Sequence, residues 1–393
     1  MAIARAKLIF LVTEDWYFWS HRLPMARAAQ DAGFDVAVAT RVAAHGERIR
    51  AAGFGLHPLS WRRGSLGPLA SLAAVAEIVR LYRRERPLIV HHVALKPALL
   101  GGIAARLARV PGVVSMIAGG GYLASAGSRH ARLIAWGARR LWPFLLLRQG
   151  CRVVVQNEED RRELAALRPD AAWRVVLIEG SGVDLVRYRL APEPEGPITF
   201  VYAGRFIAIK GVATLVAAHQ MLRERGLDTR LVLAGAPDSE NPSAIDEATL
   251  AHWHTLPGLS LPGHVDDIAP VWQGAHVAVL ASFGGEGLPK SLLEAAAMGR
   301  PIVATDVPGT RAIARQGENA LLVPPGDATA LADALETLAR DKDLRRRFGA
   351  ASRRIVERSF SDVAVAAATQ VLYRELAEEV GAGNKASVRP KSR

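Results

Sequence analysis

Short apolar runs and amphipathic stretches alternate along almost the whole chain. Residues 7–12 (KLIFLV) read as a buried strand, 23–32 as a helix closed by Gly33, and 35–40 as a second strand. A helix over 69–84 precedes a strand over 88–92, and further strands fall at 152–156 and 174–179. The stretch 190–197 (LAPEPEGP) has three prolines and no hydrophobic period, the pattern of a linker. A second series follows it: strands at 199–203, 231–234, 276–280 and 302–305, with helices at 212–225, 290–298, 328–340 and 345–358. Such alternation predicts parallel sheets with crossover helices, an α/β chain of two doubly wound, Rossmann-like domains. The expected division is 1–190 and 191–360, followed by a helix over 361–380 and a basic, disordered tail over 381–393.

Composition narrows the function classes. With 393 residues, half of them hydrophobic, the chain can bury two cores. A single cysteine, Cys151, excludes an internal disulfide framework and a cysteine-clustered zinc site. The first apolar run leads at once into Thr13-Glu14-Asp15, with neither the length nor the cleavage site of a signal peptide, so an intracellular protein is expected. The net charge of +12 is lopsided: residues 1–190 carry 28 Lys/Arg against 14 Asp/Glu, and 191–393 carry 22 against 24. From Arg86 to Asn157 there are ten basic residues and no acidic one. This excess suits a phosphorylated substrate or an anionic membrane surface. The stretch 129–148 mixes arginines with Trp136, Trp142 and leucines and could lie on an anionic leaflet, or be a buried helix with arginines at its rim. No nucleic-acid reader pattern accompanies the arginines, so no nucleic-acid partner is expected.

Two segments carry the candidate chemistry. Glu286-Gly287-Leu288-Pro289-Lys290-Ser291-Leu-Leu-Glu294 follows an apolar strand and a glycine-containing turn. Pro289 suits the first turn of a helix, which would leave the amides of Leu288, Lys290 and Ser291 free at its positive end. That is an anion site, most naturally for a diphosphate, with Glu286 and Glu294 on either side as hydroxyl acceptors. A plain surface helix with a Lys290–Glu294 pair would show the same pattern. The other segment, Gly204-Arg205…Lys210-Gly211, comes straight after a strand and would bring two cations to a leaving diphosphate; a basic loop beside a glycine turn is its bland alternative.

In this order and spacing the chain resembles the retaining glycosyltransferases of family 4, which have the GT-B fold. The motifs are Gly204-Arg205…Lys210-Gly211, Glu286 and Glu294 with seven residues between, 299–309 (GRPIVATDVPG), 318–324 (ENALLVP) and Gly182-Val183-Asp184. The first half is similar to a bacterial subgroup that extends polyprenyl-diphosphate-linked sugars for surface polysaccharides, through 20–24 (SHRLP), 91–97 (HHVALKP) and 119–123 (GGGYL). The resemblance implies a UDP-sugar donor, a lipid-linked saccharide acceptor, no cofactor and no metal, and a cytoplasmic enzyme peripheral to the inner face of the cell membrane. It implies two domains facing one cleft and a last helix that crosses back to the first domain. By position, Arg205 and Lys210 would hold the diphosphate, Glu294 the ribose, Glu286 the transferred sugar, and His92 would stand near the anomeric carbon. His91 and His92 point to opposite faces of a strand, and His92 is the one expected in the cleft. Where many relatives carry a Gly-Gly pair after the first strand, this chain has 16–20 (WYFWS). A nucleotide-sugar epimerase of the same fold and a non-catalytic polyanion-binding protein are the alternatives.

Overall fold

The computed structural model describes residues 6–61, 67–117, 146–285 and 287–387. The chain forms two units, Met1–Ser181 with Val363–Arg393, and Gly182–Asp362. Among the described residues the first unit holds a parallel sheet of β1 (Lys7–Glu14), β2 (Asp35–Arg41), β3 (Gly55–Pro58), β4 (Ile89–Val93), β5 (Gly112–Ile117), β6 (Cys151–Val155) and β7 (Val175–Leu177). Its strand order is β3-β2-β1-β4-β5-β6-β7. The second holds β8 (Thr199–Ala203), β9 (Arg230–Ala234), β10 (Leu259–Gly263), β11 (Val277–Leu280), β12 (Ile302–Thr305) and β13 (Ala320–Val323), in the order β10-β9-β8-β11-β12-β13. Both are doubly wound, as the alternation predicts. In each, the order reverses beside the first strand, between β1 and β4 and between β8 and β11, where a crevice opens at the carboxyl ends.

The central strands bury both faces, which explains their unbroken apolar runs. β4 and β5 are buried at every position, and alternate residues feed different cores: Phe10, Val38 and Val114 one, Ile9, Ala37 and Val113 another. β3, β10 and β13, absent from the sequence expectation, are edge strands, and the first two contain Pro58 and Pro262, tolerated only where a ladder bond is dispensable. β5 also lies inside the sheet and was absent from the sequence expectation, its apolar run being broken by Ser115.

The second unit begins and ends at one place. Val183 N donates to Phe360 O (3.0 Å), Asp362 N donates to Val183 O (3.1 Å), and a Cβ on Gly182 would stand 2.7 Å from Asp362 Cα. The expected linker 190–197 lies inside this unit. Ala191 N donates to Met298 O (3.3 Å), and Arg300 donates to Pro192 O (3.0 Å) while also holding the carbonyls of Trp272 and Gln273. The arginine of the 299–309 motif is therefore a structural staple.

The last helix, Asp362–Ser387, belongs to the first unit from Val363 onward. Tyr373, Leu376 and Val380 pack with Phe10 and Ile89, and Glu379 pairs with Arg152 (2.7 Å) and Arg174 (3.3 Å). It runs through 381–387, where a disordered tail was expected; no proline interrupts it there, although Gly381, Gly383 and Asn384 are poor helix formers. Residues 388–393 lie outside the described residues. Leu376 has no exposed surface, so Leu376→Ala should lower the unfolding free energy by about 2–5 kcal/mol. Equilibrium urea unfolding measures this, and an unchanged midpoint would mean that the helix only rests on the sheet.

Candidate active site

At the crevice of the second sheet, two loops leave neighbouring strands. After β8 the chain turns through Gly204 and Arg205 to a short 3-10 turn, Ala208–Lys210, and then Gly211. Gly211 has a φ of +67°, and a Cβ there would lie 1.9 Å from the carbonyl oxygen of Ala281, the residue after β11, so no larger residue fits. Phe283 N donates to Ile209 O (2.8 Å) and Ser282 Oγ to the same carbonyl (3.2 Å). The loop after β8 and the loop after β11 are thus bound together. Thr305 Oγ1 donates to Ser282 O (2.5 Å) and adds the end of β12 to the same frame.

The helix Lys290–Ala297 starts beyond this frame, with Pro289 as its N-cap rather than in its first turn. Its first-turn amides, among them those of Lys290 and Ser291, have no carbonyl four residues back inside the helix. Leu288 is buried. Glu294 is 8% exposed, and burial raises its pKa against the opposing pull of Lys290, whose Nζ lies 3.9 Å from Oε1. The Tyr188 hydroxyl is directed at the same carboxylate, and the Trp272 indole faces it without closing a hydrogen bond. The i,i+4 pair is real, but it is largely buried and sits beside the crevice, unlike a solvated surface pair. Glu286 lies outside the described residues, while Gly287 is described and stands just before Leu288.

Arg205 is held by Asp238, Nη1 to Oδ2 at 2.6 Å, and its own carbonyl accepts from the Tyr202 hydroxyl (2.8 Å). Asp238, Tyr188 and Trp272 escaped the sequence analysis. Asp238 alone left a signal: it follows β9 by a few residues, after Gly235, whose Cβ position would be 1.8 Å from Gly204 O. Gly204, Arg205, Lys210, Leu288, Pro289, Lys290, Ser291 and Glu294 all stand at the carboxyl ends of β8 and β11.

The first sheet places its candidates differently. His92 has no exposed surface; its Nε2 is 3.1 Å from the Tyr82 hydroxyl, and a Cβ on Gly101 would press to 2.7 Å from that nitrogen. His92, expected in the cleft, is buried in its own unit, where the ring packs under the helices Pro68–Glu85 and Leu95–Leu107. His91, on the other face, stacks on Phe10 (4.8 Å) and bonds Tyr373 (2.5 Å). Burial presses the His92 pKa down to about 3 and that of His91 well below normal.

The carboxyl edge of this sheet carries other groups. Glu14 bonds Arg41 (2.9 Å), and Asp15 Oδ2 accepts from the amides of Ala43 and His45 (2.8 Å each). Burial lowers the Lys96 pKa, which Glu14 counteracts. Between Val93 and Lys96, Ala94 adopts φ 75°, ψ 170°, a conformation nearly confined to glycine and stored where the chain leaves β4 for a helix. The segment 16–20 that replaces a Gly-Gly pair is part of the helix Asp15–His21. Residues 119–123 and nearly all of 129–148 lie outside the described residues. Among the described residues no group of three or more His, Cys, Asp or Glu could hold a metal ion, and no helix is long and apolar enough to cross a membrane.

Comparison with known proteins fits this arrangement. Residues 7–141 match the family described as glycosyl transferase 4-like, and 197–341 the one described as glycosyl transferases group 1. Phosphatidyl-myo-inositol mannosyltransferase of Mycobacterium leprae is 34% identical over 53% of this chain and 54% of its own, so the alignment spans about half of each. EpsD of Bacillus subtilis, assigned as a glycosyltransferase, is 27% identical over 88% and 91%. The capsular polysaccharide biosynthesis glycosyltransferase CapM of Staphylococcus aureus is 22% identical over 78% and 80%. Among solved structures, sucrose-phosphate synthase from Thermosynechococcus elongatus superposes with a TM-score of 0.76 (21% identity, 94% of this chain, 99% of that one). Anabaena HepE in complex with UDP and glucose superposes at 0.73 (17% identity, 95% and 99%). These two likenesses establish the fold. The chain belongs to the glycosyltransferases of family 4 type with the GT-B fold, the class that serves polysaccharide and glycolipid synthesis in the relatives just named.

A buried histidine kept neutral makes stability depend on acid. His92 has a folded pKa far below its ordinary 6.5, so the unfolded chain binds the extra proton first. Its contribution is complete above about pH 6.5 and is lost as pH falls towards 3, on the order of a few kcal/mol. Urea midpoints measured down a pH series should fall below about pH 6.5, and His92→Gln should flatten that fall; an equal slope in the variant would assign it elsewhere.

Proposed function

We propose that the chain moves a hexose or N-acetylhexosamine, with retention of configuration, from a UDP-sugar to a polyprenyl-diphosphate-linked saccharide in bacterial surface polysaccharide synthesis. The observation that carries this is the joined pair of loops at the carboxyl ends of β8 and β11, which set Arg205 and Lys210 and the first turn of the helix Lys290–Ala297 around one crevice. Cations beside the first turn of a helix suit a leaving diphosphate, whose charge grows as the sugar departs. The anomeric carbon gains cationic character meanwhile, and no side chain at the crevice is assigned as a covalent nucleophile. Glu294, oriented by Tyr188 and Lys290, accepts hydrogen bonds from the donor ribose, and Glu286 from the transferred sugar. Arg205 and Lys210 supply the charge neutralisation without a metal or other cofactor.

UDP as carrier is supported by the motif resemblance and by the solved HepE complex with UDP and glucose. A lipid-linked acceptor is supported by the subgroup resemblance, by the name of the phosphatidyl-inositol mannosyltransferase, and by the excess of basic residues in the first half, and surface polysaccharide synthesis by the name of CapM. The same excess favours a peripheral site on the anionic cytoplasmic face of the membrane. The segment 119–123 would belong to the acceptor side.

Calorimetric titration of the full chain with UDP and GDP tests the donor site. UDP should bind, and Glu294→Ala should weaken it by about tenfold or more, the loss of one or more hydrogen bonds to a charged acceptor. Glu294→Gln keeps the shape and should weaken binding less. Binding of GDP in place of UDP would change the donor class, and failure of both would remove the glycosyl-donor assignment of this crevice. Product anomers read by proton NMR then test retention.

A further inference from the structure

A second concave site lies at the opposite edge of the second sheet. A cavity of about 690 Å3 opens where His276 precedes β11 and residues 299–301 precede β12, roughly 15 Å of strand from the crevice that holds Arg205 and Lys290. Five arginines line it, against two glutamates. One wall is the helix Lys342–Ser359, capped by Asp341 through the amide of Leu344 (2.8 Å).

The arginines fall into two rows. The inner row, Arg345, Gly349 and Arg353, is spent on structure. Arg345 grips Glu193 Oε1 (2.6 and 2.8 Å) and the carbonyls of Leu338 and Ala339. Arg353 grips Glu357 (2.6 Å) and the carbonyls of Tyr188 and Ala297. Both carboxylates of the cavity are thereby neutralised, and Arg300 is saturated by three carbonyls. Gly349 lets the helix lie against the turn, since a Cβ there would be 2.2 Å from Gly299 O.

The outer row is Arg346, Ala350 and Arg354, all exposed and spaced four apart, so the backbone of each arginine stands about 6 Å along the helix axis from that of the alanine. Among the described residues neither Arg346 nor Arg354 forms an ion pair. A methyl group between two such arms leaves a notch with positive charge on both sides. His276, held neutral by burial and accepting from Thr199 N (3.1 Å), adds no negative charge.

We propose that this cavity is an anion site for a phosphate group, borne by a soluble phosphorylated ligand or by an anionic phospholipid headgroup. Two guanidinium groups that line one cavity and, among the described residues, pair with no carboxylate suit an acceptor with more than two oxygens, which a phosphate supplies and a carboxylate does not. The site is independent of the donor crevice, since no residue is shared.

The full chain, saturated with UDP to occupy any diphosphate site in the crevice, is titrated with inorganic phosphate and inorganic diphosphate. It is also sedimented with phosphatidylcholine vesicles with and without phosphatidylglycerol. The comparison is Arg346→Glu/Arg354→Glu, with Arg346→Gln/Arg354→Gln as the milder pair; all four replacements are at exposed positions, and circular dichroism confirms folding. Phosphate or diphosphate binding weakened by about tenfold or more in both pairs establishes the site with a soluble ligand. Loss confined to phosphatidylglycerol vesicles establishes it with a headgroup. Equal binding of every probe by wild type and variants, or no binding of any probe by the wild type, overturns the proposal. UDP affinity, unchanged in the variants, separates the outcome from any fault in the donor crevice.

Discussion

The contact on which the second unit depends is the approach of Gly211 to the carbonyl of Ala281. In a parallel sheet the two central strands send their chains away in opposite directions, and the gap between them is where a ligand can enter. Here that gap is narrowed to backbone contact. A residue without a side chain lies against a carbonyl, and the hydrogen bonds from Phe283 and Ser282 to Ile209 fix the two loops as one piece. Because of this, a cationic loop and the start of a helix share a wall. Neither Arg205 nor Lys290 would be positioned by its own element alone.

Burial then sets the chemistry on that wall. Glu294 is a carboxylate with little water around it, beside one lysine and one tyrosine hydroxyl. A group in such a place is costly to leave unsatisfied and responds strongly to whatever hydrogen-bond donor arrives. The histidines of the first sheet show the opposite outcome. The same burial holds His91 and His92 neutral and ties them to Tyr373 and Tyr82, making them internal struts between sheet and helices. Through His91 and Tyr373 the last helix is fastened to the sheet of the first unit.

Arginine serves three distinct purposes in the second unit. Arg300, Arg345 and Arg353 close backbone carbonyls and carboxylates at the amino edge of the sheet. Arg205 is partly neutralised by Asp238 at the carboxyl edge. Arg346 and Arg354 stand exposed over a cavity. The arginines of this unit thus divide into staples, a held cation and a charged rim, a distinction that rests on partners and not on residue type.

The sequence by itself determined the two αβ series, the positions of most of the central strands, and the Arg205–Lys210 and Lys290–Glu294 segments that follow β8 and β11, but not Asp238, Tyr188 or Trp272 beside them. Continuous apolar runs, glycines at strand ends and the spacing of Arg205, Lys210, Lys290 and Glu294 are local signals, and the doubly wound order follows once parallel strands must be joined by crossovers. Edge strands such as β3 and β10 were not legible, because each is only four or five residues long and carries a proline, and β3 neither alternates nor forms an apolar run. The division of the chain at Gly182, with 190–197 drawn into the second unit, was decided by Arg300 and Met298 closing on that segment, contacts more than 100 residues apart in sequence. The same holds for His92. A strand pattern gives it a face, but whether that face meets water or the underside of a helix depends on Tyr82 and Gly101, which only the tertiary structure brings to it.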